Sequence, residues 1–408
     1  MTIVQINTVC GKGSTGRIAV DIANAALGRG HKCYIAYGYG STSYPYAYPI
    51  GNRLEHLFHN LFFTRLLGLH GWGSIVSTLF FVRWLRKVRP DVVHIHNLHS
   101  NYINYRILFD YIIRNGIPLV VTLHDGFNFT GKCTYYTNAA CSKWKTACEK
   151  CPLFRNTAAP SLLFDYSRFL FRDKKNLYQK IPKCHIVGVS NWIMNEGAQS
   201  ILSAPSHTFG TIYNWVNFDV FKPASEAETE SFRKKYGLSN QVKYLISVSQ
   251  LWDKDSVRLA DALKLSKMLP AGYQLLMVGE LGKRVKLDSS VAYIPYISSA
   301  VELAAAYSFA EAYVHFSIAD TFGLVIAEAM ACGTIPITYD STACGEIPGG
   351  FGILVQPRDV NAIIEALPSL TEKKLHREEM IAFVRKNYDQ TENTNRYVDV
   401  YESMVADR

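Results

Sequence analysis

The chain has 408 residues, of which 48% are hydrophobic and 19% charged, with a net charge of +9. That length exceeds one ordinary core and points to two domains of roughly 200 residues, and the balance of residues excludes a disordered chain. A basic excess admits nucleic acid, a membrane surface or phosphorylated small molecules as partners; with no run of five like charges and no nucleic-acid motif, nucleic acid is discounted.

The first segment, Thr2 to Val9 (TIVQINTV), reads as a strand entering a glycine loop. It lacks the charged and long apolar regions and the small-residue cleavage site of a signal peptide, and no apolar stretch reaches the ~18 residues of a membrane span. With nine cysteines, the expected home is the reducing cytoplasm, with peripheral contact to the inner membrane face allowed. GRIAVDIANAALGRG follows with helical apolar spacing and stops at Gly28 and Gly30, and KCYIAYG is the next strand. From Leu57 to Pro90 there is no acid, while Arg65, Arg83, Arg86, Lys87 and Arg89 punctuate Phe, Trp and Leu. This stretch reads either as a helix on the sheet with a solvated basic edge or as a surface for anionic lipid. DVVHIHN, IPLVVTLHD and CHIVGVSN continue the strands.

NWVNFDVFKPASEAE, with Pro223, interrupts the rhythm, which restarts at VKYLISVSQ and runs through YQLLMVGE, VAYIPYI, AYVHFS and TIPITYD. Such alternation implies parallel sheets covered by helices, in two doubly wound domains whose ligands lie at the carboxyl ends of strands. The expected divisions are an N-terminal domain over 1–217, a second domain over 218–386, and a C-terminal helix over 387–408. The stretch from Arg377 reads as helix to the end.

Four constellations could carry chemistry. In NTVCGKGSTGRI, Gly11, Gly13 and Gly16 fall between strand and helix, where backbone amides can meet an anion or a sugar hydroxyl, with Lys12 and Ser14 at the tip. The dinucleotide fingerprint is matched only literally, without a fitting acid about 20 residues on. Among histidines at strand ends, His94 and His96 read as structural, whereas His124, beside Asp125, reads as facing a site. Cys133, Cys141, Cys148 and Cys151 share one loop (131–152) and have the number and softness of a structural zinc set; two disulfides or unpaired thiols are the alternatives. Finally, in FSIADTFGLVIAEAMACGTIPIT, Asp320 would follow a strand, a helix would start near Phe322 and Gly323, and Glu328 would lie two turns along it. Carboxylates so placed accept hydrogen bonds from sugar hydroxyls. A plain helix cap at Asp320 leaves Glu328, embedded among apolar residues, unexplained.

These residues resemble retaining nucleotide-sugar glycosyltransferases of family 4, which have the GT-B fold. Asp320, seven residues and Glu328 are similar to that family's Glu-seven-Glu motif. The branch resembled is the colanic-acid type of exopolysaccharide transferase, on NTVCGKGSTGRI, DVVHIHNLHSNYIN, TLHDGFNFTGKC, CSKWKTACEKCP, IYNWVNFDVFKP and DTFGLVIAEAMACGT. The resemblance implies a nucleotide-sugar donor, with Asp320 on its sugar hydroxyls, Phe322, Gly323 and Leu324 (next to Thr321) on the diphosphate, and Glu328 on the ribose. It also implies Gly13 and Ser14 near the donor phosphate, Lys12, His124 and Asp125 on the acceptor side, an acceptor-side first domain, a nucleotide-sugar-binding second domain, and a C-terminal helix returning to the first domain. A lipid-linked glycan is the implied acceptor, and no cofactor is required for catalysis. This chain departs from the pattern in several places. Position 320 is Asp, Gln250 stands where Arg is common, and Asp255-Ser256 replaces Lys-Gly, leaving Lys254 or Arg258 as phosphate cations. STACGE keeps Glu346 but loses two glycines, and Trp215 replaces a common Gly. The alternative reading these departures leave is a catalytically weakened sugar-nucleotide-binding scaffold or regulatory subunit.

Overall fold

The computed structural model describes residues 1–155, 159–254 and 256–406, so Asp255 and the last two residues of the expected C-terminal helix lie outside the described residues. Two compact units divide the chain: residues 1–212 with 391–408, and residues 213–390. The expected divisions were 217/218 and 386/387.

Among the described residues, the first unit is built on a seven-stranded parallel sheet. Its strands are β1 (Thr2–Val9), β2 (Lys32–Tyr39), β3 (Ala47–Pro49), β4 (Val92–Ile95), β5 (Leu119–Leu123), β6 (Cys184–Gly188) and β7 (His207–Thr211), in the order β3-β2-β1-β4-β5-β6-β7. β4 and β5 are buried at every position, as a central parallel strand covered on both faces must be. The helix Gly13–Gly28 buries Ile18, Ala19, Ile22, Ala23 and Ala26, three to four residues apart, on one stripe. β3 and β7 had no counterpart in the sequence reading; β3 is only three residues long.

The second unit carries a six-stranded sheet of β8 (Lys243–Trp252), β9 (Tyr273–Leu281), β10 (Val291–Ile294), β11 (Ala312–His315), β12 (Pro336–Tyr339) and β13 (Ile353–Val355), in the order β10-β9-β8-β11-β12-β13. All of its strand pairs are parallel.

The chain end is not one helix. Helix Arg377–Asn387 stops and a second, Gln390–Ala406, starts. The Val216 N–H donates to the Tyr388 carbonyl at 3.0 Å and residues 216 and 389 form a parallel bridge, so backbone groups that would continue the helix are engaged elsewhere. The second helix is tied within the first unit: Tyr401 Oη lies 2.6 Å from His94 Nδ1, and the Thr122 hydroxyl donates to Tyr397 Oη at 3.2 Å.

Between Leu57 and Pro90 the chain forms a π-helical segment (His59–Leu66) and the helix Ile75–Val88. His59 Nε2 accepts from the Gly71 and Gly73 N–H groups at 3.2 Å each, which puts the ring proton on Nδ1, facing Ser74 Oγ at 2.9 Å. This buried neutral imidazole holds the turn that joins the two helical pieces. Their outward faces carry the exposed Leu61, Phe62, Leu79 and Phe80, and the helix just before them, Arg53–Phe58, adds the exposed Leu57 and Phe58.

Candidate active site

In the second unit, the carboxyl ends of β8, β11 and β12 converge on Asp320. β11 ends at His315, and the loop after it carries Asp320 to the start of the helix Leu324–Ala331, capped by Gly323 at φ +82°. A side chain at 323 would meet Ile326 Cδ1 at 2.8 Å, so glycine is needed there for backbone and space alike. The loop is pinned from β12's side: the Asp320 N–H donates to Thr342 Oγ1 at 3.2 Å and its carbonyl accepts from Ala343 N–H at 3.3 Å.

The Asp320 side chain is held by a relay. Its Oδ2 lies 2.5 Å from His315 Nε2, and His315 Nδ1 faces the Tyr313 hydroxyl at 2.7 Å. Cys344 Sγ adds a weak contact to the same oxygen at 3.8 Å. Burial pushes the Asp320 carboxyl up, but His315, then Arg258 and the Ser317 hydroxyl, together outweigh it and hold the carboxyl below its usual value. Asp320 is therefore a carboxylate at neutral pH, acceptor-only, with its side chain still 30% exposed. Arg258 is itself steered by Ser249, whose Oγ accepts from Nη1 at 2.8 Å.

Of the other donor residues expected in this unit, Thr321 to Glu328 follow Asp320 directly in the chain and Lys254 follows β8. Thr321, Gly323, Leu324 and Glu328 are half-buried, Phe322 is buried, and Lys254 is exposed at the end of β8. The Glu328 carboxylate raises the Tyr307 hydroxyl and the Cys332 thiol, each already raised mainly by burial. Tyr213 donates to Glu346 Oε1 at 2.7 Å.

The first unit gathers polar groups at the ends of β1, β4 and β5. His96 bridges Gln5 Oε1 (2.7 Å) and His124 Nε2 (3.0 Å), and His94 bridges Thr122 Oγ1 (2.8 Å) and Tyr401. Both are fully buried, while His124 and Asp125 retain 8% and 7% exposure at the strand end. Burial lowers His124 to about 4, so its imidazole is neutral at pH 7: it can orient a hydroxyl but supplies no fixed positive charge. His99 Nε2 lies 2.9 Å from Asp125 Oδ2. Burial lowers His99, yet Asp125 more than restores it and the ring ends above its ordinary value; burial likewise raises Asp125, but His99 and the Phe127 N–H hold it below.

The glycine loop is closed by a hydrogen bond from Gly11 N–H to the Gly16 carbonyl at 3.0 Å. Gly13, with φ +64°, Ser14 and Lys12 are exposed at its tip, and Lys12 Nζ reaches Ser41 Oγ at 3.2 Å. Cys133, Cys141, Cys148 and Cys151 line one cavity of this unit.

Sequence reasoning misses His315, Tyr313 and Ser249. For the first two a signal exists: on a strand ending just before Asp320, positions 313 and 315 share a face. His99 stands out as one of the histidines after β4, but its pairing with Asp125 has no sequence signal, because a loop residue four after a strand can point anywhere.

Comparison with known proteins adds independent findings. The model of glycosyltransferase family 4 matches residues 15–219, and that of group 1 glycosyl transferases matches residues 228–387. The chain is 24% identical over 380 residues to the putative colanic acid biosynthesis glycosyl transferase WcaC of Escherichia coli K12, covering 85% of each. It is 26% identical over 239 residues to N-acetyl-alpha-D-glucosaminyl L-malate synthase of Bacillus anthracis, covering 54% of this chain and 59% of that protein. Among solved structures, a glycosyltransferase of Rickettsia africae superposes with a TM-score of 0.70 at 15% identity, covering 99% of this chain and 98% of that one. HepE of Anabaena, solved in complex with UDP-glucose, superposes with a TM-score of 0.67 at 14% identity, covering 99% and 100%. These likenesses, with the two parallel sheets, give the GT-B fold.

Proposed function

This chain belongs to glycosyltransferase family 4, and from that premise we propose that it transfers a sugar, with retention of anomeric configuration, from a nucleoside-diphosphate sugar to a lipid-linked glycan of a bacterial surface polysaccharide. A role in polysaccharide synthesis is supported by the match to the colanic-acid protein, and a nucleotide-sugar donor by the UDP-glucose complex of HepE. The observation that carries the reading is an ionised, partly exposed Asp320 at the carboxyl end of β11, one turn before a helix that carries Glu328.

In this mechanism Asp320 accepts hydrogen bonds from donor sugar hydroxyls and Glu328 from the ribose. As the glycosidic bond breaks, negative charge grows on the nucleoside diphosphate. The amides of Phe322, Gly323 and Leu324 and the cations of Arg258 and Lys254 would stabilise it there. In the first unit the Gly13 and Ser14 amides would offer hydrogen bonds to a phosphate, and Lys12, neutral His124 and Asp125 would orient the acceptor hydroxyl. The exposed apolar side chains of 57–80, with Arg65, Arg83, Arg86, Lys87 and Arg89 and no acid, support an acceptor met at an anionic membrane surface. Among the described residues no helix is long and apolar enough to cross a membrane.

The altered phosphate segment around Gln250 favours one second reading, a sugar-nucleotide-binding scaffold without turnover. A thermal-shift panel of UDP-, GDP- and ADP-sugars tests the first step. A donor at 100 times its Kd should stabilise the protein by about 2.7 kcal/mol, and Asp320→Asn should reduce that response. No response to any nucleotide sugar would remove the donor reading; a response without product would favour the scaffold.

A further inference from the structure

We infer that Cys133, Cys141, Cys148 and Cys151 form a structural zinc site whose charge is balanced by two buried lysines, Lys132 and Lys174. The four cysteines line one cavity with Tyr136 and Trp144. All four are free thiols, Cys133 buried and the other three half-buried. The thiolate is the form that ligates a metal.

The lysines supply the independent observation. Lys132 is 2% exposed, with Nζ donating to the Phe154 carbonyl (2.8 Å) and Ser161 Oγ (2.7 Å). Lys174 is 4% exposed, donates to the Phe127 carbonyl and lies 3.9 Å from that residue's ring centre. Among the described residues neither makes an ion pair, although an ammonium so deeply buried needs a compensating anion. Zinc with four thiolates carries a net charge of minus two, which two lysines neutralise. A tetrathiolate site therefore supplies the negative charge that both lysines lack at ion-pair distance, whereas two disulfides would leave them only the more distant carboxylates of Asp165 for Lys132 and of Asp125 and Asp173 for Lys174.

Among the described residues only His315, Asp320 and Cys344 bring three ligand atoms within 4.8 Å of one another, so a four-sulfur shell requires the loop 131–152 to tighten around the metal. With all four positions filled by sulfur, no open position is left for substrate. The site's place is structural: Gly126 N–H donates to the Thr134 carbonyl (2.9 Å) and Thr130 to the Cys133 carbonyl (2.6 Å), tying the loop to the chain just after His124 and Asp125.

The test uses the full chain, purified from zinc-supplemented cells without chelator or metal-affinity tag. Elemental analysis should find about one zinc per chain, and zinc-edge X-ray absorption a sulfur-only shell near ~2.3 Å. Stripping with a strong chelator should lower the melting temperature, with recovery on adding zinc and none with magnesium. Lys174→Met should weaken zinc retention about 10-fold or more. Less than about 0.1 zinc per chain after zinc dialysis would overturn the site, as would a Cys133–Cys151 disulfide in non-reducing peptide maps. Full zinc with unchanged retention in both Lys174→Met and Lys132→Met would overturn the countercharge role.

Discussion

Replacing His315 by Phe keeps a planar ring in a nearly closed site but removes both polar atoms of the Tyr313–His315–Asp320 relay. The His315 side chain is 8% exposed and that of Asp320 30%, with 2.5 Å between their polar atoms. A hydrogen bond to a charged group contributes about 1.5–3 kcal/mol, and the exposure of Asp320 discounts this to about 1–2 kcal/mol. For a unit the size of residues 213–390 that corresponds to a fall of about 2–8 °C in melting temperature. The pH dependence has a definite sign. Asp320 is held below its ordinary value in the fold, so this stabilisation is present above pH ~3.8 and lost as pH falls through the lower folded value. The assay is differential scanning calorimetry at pH 7 and pH 3 on wild type, His315→Phe, Asp320→Asn and the double variant. The gap between wild type and His315→Phe should narrow at pH 3, and the double variant should lose less than the sum of the singles. His315→Gln, which keeps a donor near the Nε2 position, should recover part of the loss. Strict additivity, with a pH-independent gap, would refute the coupling.

Three other outcomes follow from the same reasoning. Gly16→Ala adds a Cβ 3.0 Å from Val9 Cγ2 and 3.2 and 3.3 Å from backbone atoms of Gly11 and Val9, so the glycine loop must give by a few tenths of an ångström; if it meets the donor as proposed, donor KM should rise, whereas Gly28→Ala, with open space around it, should be neutral or stabilising by up to about 1 kcal/mol. Unchanged kinetics in Gly16→Ala would count against a donor role for the loop. Tyr401→Phe strips His94 Nδ1 of its partner in a fully buried setting and should cost about 1–3 kcal/mol in urea unfolding; a change within ~0.5 kcal/mol would contradict the tie to the last helix. Burial holds His59 at about 3 and His124 at about 4, and His70, His94 and His96 well below their ordinary value. The unfolded chain therefore takes up more protons below pH ~6.5, and the urea midpoint of the first unit should fall between pH 7 and 5; a flat profile would mean these rings protonate without unfolding.

Much of this architecture could be read from residue pattern because parallel strands and their covering helices carry strong, short-range signals. β4, β5 and β11 are short, largely apolar runs and β1 and β8 are rich in β-branched and aromatic residues, and Asp320 and Glu328 stand out because acids are costly inside an apolar run. What escaped depended on distant partners. β3 is a three-residue edge that exists by pairing with β2. The break at 388–389 arises from the backbone of Val216, far away in sequence. His315 looks like any strand-end histidine until the loop folds Asp320 back upon it, and His99 finds Asp125 only through the sheet order that sets β4 beside β5.

The central claim is retaining transfer from a nucleotide sugar through Asp320 and Glu328. It is tested most directly by giving the purified protein the donor found in the thermal-shift panel together with a lipid-linked acceptor, and reading the anomeric configuration of the new linkage by NMR. The account predicts a product with the donor's configuration, turnover falling at least about 100-fold in Asp320→Asn, and folded variants throughout. A product of inverted configuration, or full turnover in both Asp320→Asn and Glu328→Gln, would contradict it.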